Sequence, residues 1–151
     1  MSTYVITRID DASFRKLIFV KKLYEDALQR MSASEIDRMM AISQLDAAIE
    51  LVLRCIPSFF RKPLDVDKEI DYTTFWQATD DLLLEHCKPP LPLKRTIFRL
   101  HDARDSIQLY GTVADTPIVE EYALFVELFM KKIFRDIFSL DFKTISMSWI
   151  I

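Results

Sequence analysis

The chain has 151 residues, of which 50% are apolar and 28% charged, a balance that excludes disordered and fibrous proteins. Its single glycine, Gly111, disfavours the tight hairpins of an all-β fold, and its formal net charge of −3 argues against a surface coated in basic residues. Cys55 and Cys87 lie in apolar stretches where we expect free thiols to pack as small hydrophobes. We expect one soluble, cytoplasmic, all-α domain over residues 1–151, with no membrane span and no secretory signal.

Apolar periodicity predicts two helices in the first part of the chain. Apolar residues recur at steps of three and four from Ser13, a candidate N-cap, to about Met31. Ser34 is the candidate cap of a second helix, whose apolar positions repeat as far as Ile56. Pro57 is expected to end this helix, because proline lacks a backbone N–H.

Two further helices are predicted on either side of a proline-rich connection. Thr73 or Thr74 begins the third helix, which cannot continue through Pro89 and the prolines after it. The fourth helix begins near Pro92 and ends at Gly111, the expected C-cap glycine. This helix carries the polar residues that are best suited to chemistry.

A fifth helix and two less regular segments complete the prediction. Thr116 and Pro117 form an N-cap and N1 pair, and apolar periodicity carries the fifth helix to about Phe138. The segment 141–151 ends on an apolar run that either packs back or leads into further chain. Residues 4–7 form a β-favouring run that is either an extended lead-in or an addition to an early helix. The fold class is therefore an all-α bundle of about five helices.

Candidate functional side chains lie on the fourth helix. Helical spacing places His101, Arg104 and Gln108 on one side, and Asp105 follows His101 by one turn. An always-charged arginine beside a titratable histidine is suited to holding a phosphate and moving a proton, as metal-free RNA cleavage requires. The structural alternative is an ordinary pair of His101 and Asp105, with Arg104 and Gln108 solvated or satisfying loop carbonyls.

The second helix contributes a polar stripe in an otherwise apolar sequence. Asp46, Glu50 and Arg54 follow one another at intervals of one helical turn. In one interpretation Glu50 and Arg54 form a surface ion pair. In the other, Asp46 or Glu50 orients Arg104 from the adjacent helix.

Residues 104–109, with the sequence Arg-Asp-Ser-Ile-Gln-Leu, resemble the signature of the HEPN family (higher eukaryotes and prokaryotes nucleotide-binding). That signature is an arginine, a polar neighbour, a short spacer and a histidine. The first two residues match, whereas Leu109 stands where the histidine is expected. Residues 41–53 are similar to the early family helix that carries acidic residues in an apolar frame, and a loose likeness extends over residues 14–151.

The resemblance implies a HEPN-like helical bundle that forms a homodimer, in which the motifs of two subunits line a shared cleft. Because Leu109 replaces the histidine, the usual agent of proton transfer is missing. We therefore expect a non-catalytic dimerising module of a prokaryotic defence or toxin–antitoxin type system, which binds RNA, a nucleotide or a protein partner. Five polar side chains form the expected binding set: Arg104, Asp105, Gln108, Asp46 and Glu50.

Two other functions remain open. The chain could be a metal-independent endoribonuclease in which Arg104 and His101 are catalytic, or a structural interaction domain that uses helix five and the Trp149–Ile151 tail. No metal or cofactor is expected. His86 and Cys87 are adjacent rather than at ligand spacing, and the sequence contains no Gly-rich phosphate loop.

Overall fold

The computed structural model describes residues 9–62 and 71–147, and all the regular elements in these ranges are helical. The all-α prediction is therefore confirmed for the described chain. The five α-helices, numbered in chain order, are α1 (Asp11–Arg30), α2 (Glu35–Phe59), α3 (Tyr72–Glu85), α4 (Lys94–Tyr110) and α5 (Thr116–Ile133). A π-helical turn, Phe134–Phe138, continues α5 to the residue where the sequence predicted its end. The predicted extended run at residues 4–7 lies outside the described residues.

Side-chain caps begin the first two helices. The Asp10 carboxylate accepts a hydrogen bond from the backbone N–H of Ser13 at 2.6 Å, so Asp10 is the cap and Ser13 already lies in α1. The Ser34 hydroxyl caps α2, as predicted, by accepting from the N–H of Asp37 at 3.1 Å. The first cap sets the start of α1, and the second sets the start of α2 after the turn between the two helices.

The prediction that Pro57 ends α2 is wrong, since the helix continues to Phe59. A proline in the last turn removes only one intrahelical hydrogen bond, and the end of the helix is stabilised in another way. Arg61 adopts a left-handed conformation with φ of 56°, and the N–H of Lys62 donates to the Pro57 carbonyl at 3.0 Å. This is the hydrogen-bond pattern of a Schellman C-cap.

Helix α3 begins earlier than predicted. The carboxylate of Asp71 accepts from the N–H of Thr74 at 2.8 Å, which makes Tyr72 the first helical residue instead of Thr73 or Thr74. After the helix ends, Cys87 has a left-handed φ of 56° and is exposed. The expectation that Cys87 packs as a buried hydrophobe is therefore wrong, whereas Cys55 is buried as expected.

The last two α-helices follow the predicted boundaries closely. Helix α4 begins two residues after Pro92 and ends at Gly111, whose left-handed φ of 64° confirms the predicted C-cap. Asp115 occupies the N-cap position of α5, so Thr116 is the first helical residue and Pro117 lies in the first turn.

The segment after α5 packs back on the bundle. Leu140, Phe142 and Ile145 are buried, and the Phe142 ring contacts that of Tyr24 with centroids 5.4 Å apart. The Lys21 ammonium donates to two carbonyls of this segment, including that of Ile145 at 3.0 Å. The predicted apolar tail at Ser148–Ile151 lies outside the described residues.

Buried apolar side chains from all five α-helices form one contiguous core. Helix α2 is central, because it contacts each of the other four α-helices. Trp76 of α3 is fully buried and packs edge-on against Phe98 of α4. A polar side chain on α2 that points toward α4 is therefore buried between the two helices. None of the described helices is long and apolar enough to cross a membrane.

Candidate functional site

Asp46 joins α2 to α4 through a carboxylate that is only 2% exposed. The Nδ1 atom of His101 lies 3.2 Å from each carboxylate oxygen, and Nε of Arg104 lies 3.2 Å from Oδ2. His101 and Arg104 are three residues apart in α4, so both side chains leave the helix toward α2. We call Asp46, Glu50, His101, Arg104 and Asp105 the polar cluster.

Arg104 is surrounded by carboxylates of its own chain. Its Nη2 atom lies 3.3 Å from Oδ1 of Asp105 and 3.9 Å from Oε1 of Glu50. The contact of Nε with Asp46 is an ion pair rather than an aligned hydrogen bond, since this buried N–H has no hydrogen-bond partner among the described residues. The Arg104 side chain as a whole is 24% exposed and thus partly reachable from solvent.

Both ring nitrogens of His101 face carboxylates, because Nε2 lies 3.9 Å from Oδ2 of Asp105 while Nδ1 contacts Asp46. The imidazole also stacks on the ring of Tyr72, with centroids 3.9 Å apart and planes 12° apart. The Tyr72 hydroxyl is buried and has no hydrogen-bond partner among the described residues. Burial raises the pKa of this phenol, so it is neutral in the physiological range.

Burial also raises the pKa of the Asp46 carboxyl above its ordinary value, because the charged form loses hydration. The charges of His101 and Arg104 act in the opposite direction and favour the carboxylate. The charge state of the Asp46 carboxyl therefore depends on these two neighbours.

Asp46, Glu50 and His101 also form a group of metal-ligand types that the sequence analysis did not predict. Each offers one donor atom, and these atoms lie within 4.8 Å of one another. However, Arg104 already places a fixed positive charge 3.2 Å from Asp46. A cation at these donors would meet the guanidinium at close range, so the arrangement is suited to an ion-pair network.

The structure brings together four of the five residues in the expected binding set. Gln108 is exposed, and no described contact joins it to the polar cluster. Glu50 faces Arg104, whereas the guanidinium of Arg54 lies over the Phe75 ring at 5.6 Å. The interpretation in which α2 acids orient Arg104 therefore describes the geometry, and the Glu50–Arg54 surface pair does not.

Tyr72 is the cluster neighbour that sequence reasoning missed. It precedes Thr73 and Thr74, where the third helix was expected to begin, and so was assigned to a loop. The available signal was Asp71, whose side chain is a good N-cap and would have placed Tyr72 in the first turn.

An apolar groove of about 370 Å³ lies beside the polar cluster between α2 and α4. Gln44 lines it, and the Oε1 atom of this residue is buried without a hydrogen-bond partner among the described residues. A groove with mainly apolar walls is suited to an apolar ligand surface. Its lining, which we call the α2–α4 groove, consists of Ile36, Met39, Met40, Ser43, Gln44, Ala47 and Ile107.

No family model, curated protein or solved structure matches the chain. The resemblance to the HEPN family therefore remains one of motif and helix order. Of the motif residues, Arg104 and Asp105 belong to the polar cluster, and Leu109 is 70% exposed on the last turn of α4.

Proposed function

We propose that this chain is a non-catalytic, HEPN-like dimerising module whose α2–α4 face binds a protein partner. One observation carries the proposal. The two side chains that a metal-free nuclease needs, Arg104 and His101, are both held by carboxylates of the same chain. Both side chains are used internally, to join α2 to α4.

The charge around Arg104 disfavours a polyanion as the ligand. Asp46, Glu50 and Asp105 all lie within 4 Å of its guanidinium. A phosphate that approaches the guanidinium must displace at least one carboxylate and then remain near the other two. The net charge of −3 adds long-range repulsion of nucleic acid.

The surroundings of His101 argue against general acid–base catalysis at this site. The ring of His101 lies against Tyr72, and both of its nitrogens face carboxylates. A general base must be within hydrogen-bond reach of the proton that it abstracts. Leu109, at the position of the family's histidine, carries no titratable group.

The α2–α4 groove favours a protein partner. Its walls are formed mainly by aliphatic and methionine side chains, and Met40 and Ile36 at its edge are exposed. Methionine adapts its shape to apolar side chains, and two methionines line this groove. These are the features of a helix or strand docking site rather than of a phosphate site.

A second candidate function, metal-independent RNA cleavage, is supported by one observation. Arg104 and His101 both lie within 4 Å of the Asp105 carboxylate, so a phosphate that replaced Asp105 would contact both side chains. In that case Asp46 would orient the imidazole, as carboxylates do in other acid–base pairs. This alternative requires the Asp105 carboxylate to move away from the Arg104 guanidinium.

RNA binding tests the proposal against this alternative. We would titrate a labelled single-stranded RNA at low salt and follow its anisotropy with wild-type protein, Arg104→Ala and the control Arg54→Ala. Arg54 is exposed on α2 and lies outside the polar cluster, so it reports on non-specific charge. We expect equally weak binding by all three proteins. A selective loss in Arg104→Ala of at least tenfold would contradict the proposal.

A further inference from the structure

The outward surface of α5 carries an apolar stripe that the bundle leaves uncovered. Leu124 is 56% exposed and Leu128 is 47% exposed. Because they are four residues apart, their side chains lie one above the other on the same side of the helix. Neither lines the α2–α4 groove, so this stripe is a separate surface.

Charges of opposite sign flank the stripe along the helix. Glu120 and Glu121 lie one turn before Leu124, and Lys131 and Lys132 lie one turn after Leu128. The helix dipole favours acids near the start and bases near the end, which accounts for the signs of these charges. It does not account for the two exposed leucines between them.

We propose that two copies of this chain pair antiparallel through α5. The Leu124 and Leu128 side chains of each copy pack against those of the other, and the acidic start of one helix faces the basic end of its partner. The inference rests on the dimer of the proposed function and names its interface, which lies on α5 instead of at the shared motif cleft that the HEPN resemblance implies. The pairing leaves the α2–α4 groove open for a different protein.

The positions of the charges fit a twofold axis near Val126. At 100° per residue, Glu121 and Lys132 fall on one edge of the leucine stripe, while Glu120 and Lys131 fall on the other. A twofold axis across the stripe preserves each edge and exchanges its ends. It therefore places Glu121 of one copy opposite Lys132 of the other, and a parallel arrangement would place like charges together.

Two of these charges are free to pair between copies. Glu121 and Lys132 are exposed, and neither makes an ion pair with a described residue. Lys131 is partly engaged, since its ammonium lies 2.8 Å from Oε2 of Glu127. The Glu121–Lys132 edge is consequently the one that a charge-exchange experiment addresses most directly.

Sedimentation equilibrium of full-length protein over a range of concentrations tests the inference. Wild-type protein should be a dimer. Glu121→Lys alone and Lys132→Glu alone each bring like charges together at both ends of the interface, and each should weaken dimerisation at least tenfold. An equimolar mixture of the two variants restores opposite charges at both ends and should form a heterodimer. Far-UV circular dichroism checks that both variants remain helical.

Three outcomes would overturn the inference. Both single variants could remain fully dimeric, their mixture could stay monomeric, or the wild-type protein could be monomeric at every concentration. The groove variant Met40→Glu separates failure of the inference from failure of the proposed dimer. A wild-type dimer that Met40→Glu dissociates and the charge variants do not is a dimer through the α2–α4 groove. A monomeric wild-type protein would contradict the dimer of the proposed function, but it would not contradict the proposal that a protein partner binds at the α2–α4 groove.

Discussion

The carboxylate of Asp46 on α2 lies 3.2 Å from Nε of Arg104 on α4, and the same carboxylate contacts Nδ1 of His101. Arg104 and His101 of α4 are thus tied to the central helix of the bundle instead of being displayed to solvent. Removing one member of such a partly buried network leaves the others desolvated without a partner. The stability of the fold and any RNA-cleavage activity of the Arg104–His101 pair should therefore both depend on Asp46.

Replacing the central carboxylate should destabilise the fold. Asp46→Asn preserves the shape of the side chain but leaves Arg104 and His101 without their shared counter-charge, which we expect to cost about 2–3 kcal/mol. Urea denaturation at pH 7 measures this change. The control Glu50→Gln removes a more exposed carboxylate at 3.9 Å and should cost less than about 1 kcal/mol. Equal losses in the two variants would show that Asp46 does not anchor the cluster.

The Tyr72 ring and its hydroxyl should have opposite effects. The ring stacks on His101, whereas the buried hydroxyl has no hydrogen-bond partner among the described residues. Tyr72→Phe should leave stability unchanged or raise it by about 1 kcal/mol, because an unsatisfied polar group is removed. Tyr72→Ala should lower it by about 3 kcal/mol through lost packing. Thermal unfolding distinguishes these outcomes, and a marked loss in Tyr72→Phe would reveal a partner for the hydroxyl.

Glu127 should make the stability dependent on pH in the acid range. Hydrogen bonds from Lys131 and Tyr24, in that order, lower the pKa of its carboxyl from 4.5 to about 2. A lowered pKa means that this contribution is complete above about pH 4.5 and is lost as the pH falls toward 2. Glu127→Gln should therefore be less stable than wild type by about 1 kcal/mol at pH 6 and no less stable near pH 2.

Urea denaturation across this pH range measures the effect of Glu127. The control is Glu25→Gln, which removes the carboxylate of an exposed ion pair with Lys22. The control should stay within about 0.5 kcal/mol of wild type at each pH. A constant difference between wild type and Glu127→Gln from pH 6 to pH 2 would contradict the assignment. It would mean that the hydrogen bonds to Glu127 do not favour its charged form.

Gly111 should be needed for its backbone conformation alone. Its φ is 64°, and a Cβ atom placed there would meet nothing within 4 Å. Gly111→Ala should cost about 1 kcal/mol because alanine disfavours the left-handed region, and Gly111→Asn should cost less. Thermal unfolding of the pair checks this order. A larger loss in the asparagine variant would point to a packing role.

The sequence was most informative where a single local signal decides the structure. Apolar periodicity predicted the order of the helices, and Gly111 predicted the end of α4. The end of α2 was misplaced because Arg61 adopts the left-handed conformation that glycine usually provides, and Cys87 does the same after α3. Nothing in the identity of these two residues indicates that conformation, since it depends on the packing of the turns that follow.

The candidate site was predictable in part. Helical spacing indicated that Arg104 and His101 share a side of α4, and one of two interpretations brought Asp46 toward Arg104. Spacing alone could not show how much of that side α2 covers, so Gln108 was grouped with residues to which no described hydrogen bond or ion pair joins it. The position of Tyr72 beside the polar cluster depends on where α3 begins and on how α3 packs beside α4. One sequence alone does not specify that packing.

RNA cleavage by purified protein in EDTA tests the central claim, that the Arg104–His101 pair is structural, most directly. The assay compares wild type with Arg104→Ala, His101→Ala and the control Arg54→Ala, each checked for helical content. We expect no cleavage that depends on Arg104 or His101, because both are held by Asp46. Cleavage by wild type and Arg54→Ala that is lost in both Arg104→Ala and His101→Ala would contradict the account and establish a metal-independent ribonuclease.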